Sequence, residues 1–361
     1  MSALPSRLLR PAPAAPLAGA IAEAIRATNH LRRGSSEPAV AGAWKEWFHF
    51  CVLAPEVAVL VNLSVFEDPR PAARGAEVGR ALVLVHAGGW HGGAETFAAE
   101  ALRLRAGALS FALGPHTVDF RDGRFRVMGV LARADVSFEL DLTPLAFPTA
   151  TRNAAFAHGS PVHWLAVPRL AATGTVTVGR RSHTFDGVPA YHDHNWGRFR
   201  WGGDFAWEWG VGLPDDPGSP WSLVFDRLTD RSRGRVLTQG LYLWRGAEPA
   251  RILRERAVRF ELSRQHLRAR PFRIPAALAV LAEGEAADVP ATLSLAGLAG
   301  DDRVEAEFAI ESLAQVLVPN DADDLRLTTI NETVARMHLR GRVDGEALDV
   351  PGRAFVELVR G

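Results

Sequence analysis

From Trp44 onward, apolar and polar positions alternate with a period of two, which predicts strands. In "VSFELDL" (Val136 to Leu142), Val136, Phe138, Leu140 and Leu142 share one face, and Ser137, Glu139 and Asp141 share the other. That is the pattern of an antiparallel strand with one side in solvent. The same alternation marks "VAVLVNLSV" (Val57 to Val65) and "ALVLVHA" (Ala81 to Ala87). Asp122-Gly123 and Asp344-Gly345 each separate two alternating runs. Both residue types tolerate the positive φ that a two-residue hairpin turn requires, so consecutive strands are expected to pair.

Helical periodicity is confined to the N-terminal arm around Leu17 to Ile25, part of Ala94 to Arg105, and Ile274 to Glu283. Proline-punctuated breaks fall at Phe147 to Pro161 and Arg268 to Pro290. Many short strands over this length predict a mostly β protein of two antiparallel barrels or sandwiches in series. The expected organisation is a loose arm over residues 1–40, a first barrel over 41–212 and a second over 213–361.

Composition narrows the function classes. Hydrophobic residues make up 47% of the chain, and 41 basic side chains balance 41 acidic ones, so neither disorder nor a basic nucleic-acid-binding field is expected. The single cysteine, Cys51, has no partner for a disulfide or a thiolate zinc site. No apolar run is long enough for a spanning helix, so a cytoplasmic protein, at most peripheral to a membrane, is expected.

Candidate chemistry concentrates in "AYHDHNWGRFRWGGDFAWEWG" (Ala190 to Gly210). Read as a strand, "YHDHNW" puts Tyr191, Asp193 and Asn195 on one face and His192, His194 and Trp196 on the other. Should the Asp193 face point into an indole-lined barrel, desolvation favours its neutral form and makes it a general acid, with Tyr191 holding the carboxyl or steering a water. Should the opposite face point inward, His192 and His194 could share a metal ion, with His163 or Glu208 as a third ligand. A second strand, "DFAWEWGVGL", aligns Phe205, Trp207, Trp209 and Val211, as core or as pocket wall. Gly197, Gly202 and Gly203 read as a bulge or tight turn between the two strands. "HAGGWHGG" (His86 to Gly93), with Trp90, reads as a rim loop. No nucleophile elbow, phosphate loop or dinucleotide fingerprint competes.

"KEWFHF" (Lys45 to Phe50) resembles the opening strand of the AttH-like lipocalin-type proteins, and "AYHDHNWG" resembles the Tyr-x-Asp block of carotenoid 1,2-hydratases. "VARMHLRGRVDGEALDVPGRAFVELV" resembles the closing hairpin and Glu-bearing strand of the same group. The resemblance implies tandem lipocalin-like barrels around an apolar pocket. It also implies cofactor-free chemistry on an isoprenoid, carotenoid or polyene, in which a double bond is protonated and water adds to the cation. By the same resemblance Asp193 is the acid and Tyr191 its partner. His163 and Trp164 match an upstream His and Trp, but as neighbours on a strand only one of them can line the pocket. Trp47, Trp90, Trp164, Trp196, Trp201, Trp207 and Trp209 are the expected substrate-lining residues. Two further readings stay open: a cyclase or pericyclase that folds a polyene, and a carrier that binds an apolar ligand without chemistry.

Overall fold

The computed structural model describes residues 15–32, 42–68, 76–105, 107–155, 161–202, 205–279, 288–321 and 326–360. The protein is mostly β, as the alternation predicts. Its strands form a 12-stranded sheet and a 10-stranded sheet, and nearly every neighbouring pair is antiparallel. The first runs in the order Trp90–Ala98, Glu77–His86, Ala58–Glu67, Ala43–Leu53, Arg181–Phe199, Pro161–Val178, Val136–Pro144, Arg124–Leu131, His116–Arg121, Phe111–Leu113, Leu102–Arg103. It curls until Phe97 on one edge strand lies edge-on to His116 near the other edge, at 5.7 Å.

The second sheet has at its centre Trp221–Thr229, Ala206–Pro214, Glu346–Arg360, Leu327–Val343 and Asp302–Pro319. It curls likewise, and the Gln239 amide donates to the Val258 carbonyl across the gap at 2.9 Å. Asp122-Gly123 and Asp344-Gly345 form the expected hairpin turns, all four residues at positive φ.

Three apolar layers follow from this topology. Phe48, Phe50, Phe125 and Val167 fill the first barrel, and Leu223, Phe225, Phe308 and Leu358 fill the second. A third layer lies between the barrels, where Leu60, Leu84, Trp164 and Tyr191 meet Val211, Tyr242, Trp244 and Phe355. The central strands are therefore buried on both faces, and Ala43–Leu53 is nearly continuous in its burial. Burying one large apolar side chain contributes about 1.5–3 kcal/mol, so a strand that buries both faces carries a disproportionate share of stability.

Several local expectations change. The arm around Leu17 to Ile25 is not loose. A helix, Ala15–Thr28, buries Ile21 and Ile25 against the first barrel, while residues 1–14 and 33–41 lie outside those described. Within Ala94 to Arg105 the chain forms a strand end, a 3-10 turn Ala99–Ala101 and a short strand rather than a helix. Ile274 to Glu283 keeps one helical turn, Ala276–Ala279, and 280–287 are outside the described residues. The break at Phe147 holds a strand, Thr149–Ala155, paired with Pro161–Val178. Gly202 sits at positive φ in the turn that joins Arg181–Phe199 to Ala206–Pro214, as expected, whereas Gly197 lies within the first of these strands and the two strands belong to different sheets; Gly203 is outside the described residues. "DFAWEWGVGL" accordingly belongs to the second barrel's sheet, in Ala206–Pro214. Among the described residues no helix is long and apolar enough to cross a membrane.

Candidate active site between the barrels

Strand register assembles the first wall. Arg181–Phe199 lies between Ala43–Leu53 and Pro161–Val178, so His49 and Ala166 flank Asp193, and Trp47 and Trp164 flank Asn195. Paired residues share a face. That face points toward the second barrel, not into the first, which corrects the expectation of an acid inside a barrel. The physical reason lies on the reverse of the strand, where His192 stacks on Phe50 at 4.3 Å and His194 on Phe48 at 4.0 Å in the first barrel's core.

Asp193 is 3% exposed. Tyr191 Oη donates to its Oδ2 at 2.9 Å, and Asn195 Nδ2 donates to Oδ1 at 2.7 Å. Burial pushes the carboxyl up to about 8, against the pull of the Tyr191, Trp164 and Asn195 donors. No arginine or lysine is bonded to it, so burial outweighs these neutral donors and the carboxyl keeps its proton at neutral pH. His49, its cross-strand neighbour, is lowered by burial to about 3 and is neutral.

The second wall is as acidic. Trp209 pairs with Asp226 on one side and Glu357 on the other, and Glu357 pairs with Glu332. Burial pushes Glu332 well up, and the neighbouring Glu357 pushes it further. Burial raises Glu357 as well, and the Trp207 indole N–H donates to its Oε1. Two adjacent buried carboxyls cannot both ionise cheaply, so this pair retains a proton. Asp226, lifted by burial to about 6, is mostly ionised at pH 7.

Two cavities lie between the walls. One of about 60 Å³ is bounded by Asp193, His49 and Trp164 from the first barrel and by Trp209, Asp226 and Glu357 from the second. The other, of about 400 Å³, opens beside Lys45, Arg80, Trp201 and Ile330. Trp47, Trp207 and Glu357 border both.

The predicted residues thus separate. Tyr191, Asp193, Trp47, Trp164, Trp207 and Trp209 converge between the barrels, and Trp201 lines the larger cavity. Trp90 packs in the same interface but borders neither cavity. His163 and Trp196 do not join them. They are cross-strand partners on the opposite face, stacked at 5.2 Å with planes 11° apart, so of the adjacent pair it is Trp164 that faces Asp193.

The metal alternative also meets a different geometry. His192 Nδ1 bonds the His49 carbonyl and Nε2 the Asn29 amide, while His194 Nε2 bonds Glu46. Among the described residues no three His, Cys, Asp or Glu are grouped to hold a metal ion.

His49, Asp226, Glu332 and Glu357 were not singled out from the sequence. For His49 and Glu357 the signal is an ionisable residue inside an otherwise apolar run, "WFHFCV" and "AFVELV", where a strand buried on both faces leaves no solvent for it; Glu332, in "TINETV", carries no such signal.

No protein-family model matches the sequence, and no match to a curated protein is found. Solved structures do match. A protein described as AttH from Nitrosomonas europaea is 15% identical over 88% of this chain and 92% of its own, with a TM-score of 0.60. Kievitone hydratase from Nectria haematococca is 14% identical over 89% of each chain, at 0.56. CghA, solved with Sch210972, is 13% identical over 88% of each chain, at 0.51. The chain shares with them a fold of two tandem lipocalin-like barrels.

Proposed function

We propose that this chain is a cofactor-independent enzyme that adds water across a carbon–carbon double bond of a hydrophobic isoprenoid or polyene, in the manner of a carotenoid 1,2-hydratase. The observation that carries the proposal is a carboxyl group held neutral, Asp193, in a cavity walled by Trp47, Trp164, Trp207 and Trp209. The Asp193 proton moves to the less substituted alkene carbon and leaves a tertiary cation on its neighbour. Each indole face near a desolvated cation contributes roughly 2 kcal/mol. A water oxygen then bonds to the cation and gives up its proton to Asp226, the carboxylate on the opposite wall.

A second reading, a cyclase that folds a polyene and uses Asp193 only as a hydrogen-bond donor, draws support from CghA having the same fold. Turnover of an acyclic polyene in deuterated water separates the two. Hydration places one non-exchanging deuterium on carbon per product, and a product free of label would end the hydration proposal.

A further inference from the structure

Arg80 lies on the same face of the first sheet as the acid, three strands away. The cross-strand row runs Thr96, Arg80, Ser64, Trp47, Asn195, and Asp193 is two residues along the strand from Asn195. At about 4.8 Å between strands, Arg80 and the Asp193 strand are separated by roughly 14 Å of sheet. The larger cavity covers the part of that interval from Arg80 to Trp47, with Val316, Val318 and Ile330 of the second barrel facing it, and the smaller cavity continues from Trp47 to Asp193.

Among the described residues the Arg80 guanidinium makes no ion pair and no hydrogen bond; it lies over the Phe66 ring at 5.1 Å. The other cation of this cavity, Lys45, is already used, because its Nζ contacts Asp321 Oδ2 at 2.7 Å and the Phe199 carbonyl at 2.7 Å. The same Asp321 oxygen accepts the Trp201 N–H. Asp321 acts on Arg80 only through space and is itself bonded to Lys45 and the Trp201 N–H, so a half-buried arginine at the far end of the cavity leaves five N–H donors for a ligand.

We infer that the substrate is an amphiphile whose single anionic head group, a carboxylate or a phosphate monoester, is held by Arg80 while its apolar chain runs past Trp47 and Trp207 to Asp193. The inference rests on the proposed function only for the reacting end; anchoring by Arg80 is a matter of binding.

The test is titration of the full chain with palmitate, hexadecyl phosphate, methyl palmitate and hexadecanol, below their micellar concentrations, followed by quenching of indole fluorescence and by calorimetry. The protein is expected to bind one or both anions at least tenfold more tightly than the neutral pair, and the stronger anion identifies the head group. R80M should erase that preference and leave methyl palmitate binding unchanged, which also reports that the variant is folded. R80K should retain part of it. D193N should keep the full preference, so that failure of the chemistry and failure of the anchor are read separately. Equal binding of anions and neutral analogues by the unmodified protein, an equal loss for all four in folded R80M, or no binding of any of them would overturn the inference.

Discussion

Trp47 of the first barrel stacks on Trp207 of the second, with ring centroids 6.3 Å apart and planes inclined by 23°. Between them the two indoles partition the space around Asp193 from the larger cavity. A chain long enough to reach from one cavity to the other must pass this pair, so the partition is also a contact surface for substrate. W47A is expected to raise KM about tenfold while lowering kcat less, as removal of binding shared by ground and transition states does. Steady-state kinetics with a soluble polyene checks this.

Asp193 is the group on which the proposed chemistry depends. D193N keeps the shape and the Tyr191 contact but has no acidic proton to give. A loss of 10²–10⁴ in kcat with little change in KM is expected, the usual range for removal of a general acid. Turnover within a few-fold of the unmodified protein would leave Asp193 a hydrogen-bond donor only.

The pH dependence follows from the same group and from Asp226. With Asp193 titrating at about 8 and Asp226 at about 6, kcat should be bell-shaped, falling below pH 6 as Asp226 takes up a proton and tenfold per pH unit above 8 as Asp193 loses its own. A base at position 193 would reverse the alkaline slope. Tyr191 favours the ionised carboxyl, so Y191F should move the alkaline limb to higher pH as well as lower kcat.

Stability should decline over part of the same range. Between the ordinary carboxylate value and about 8, the unfolded chain has released the Asp193 proton while the folded chain keeps it. Folding therefore weakens as pH rises through that window, by at most roughly 1.4 kcal/mol per pH unit for this group, and levels off above it. Asp226 adds the same trend up to about 6. Above pH 7 the buried histidines, His49 among them, are neutral in both states, so urea denaturation at pH 7 and pH 8.5 is expected to show the higher midpoint at pH 7, and D193N should reduce the difference.

His192 and His194 are core residues. H192A leaves a void among Phe48, Phe50 and Phe125 and strips the Asn29 amide of its partner. A cost of about 2–4 kcal/mol in denaturant unfolding is expected, with turnover per folded molecule retained.

Much of the fold was legible in the chain. Alternation in "VSFELDL" placed a strand with one wet face, and the Asp-Gly pairs fixed two hairpins, because these signals are local and depend only on the pleat and on φ. The N-terminal helix was legible as an element but not as part of the barrel's packing, since the surface that Ile21 and Ile25 cover is distant in sequence. Glu332 is not legible in the chain, because in "TINETV" it looks like an ordinary polar position of a strand until both faces of that strand are covered.

At the site, the sequence by itself determined that Tyr191, Asp193 and Asn195 share a face opposite His192 and His194; a two-residue period allows nothing else. It could not determine where either face points, because this strand is buried on both sides and hydrophobicity no longer distinguishes inside from outside. The tertiary structure decided that. Docking one curled sheet against another turned the outer face of the first barrel into the wall of a cavity, and brought Asp193 opposite Asp226 and Glu357 from strands in the other sheet.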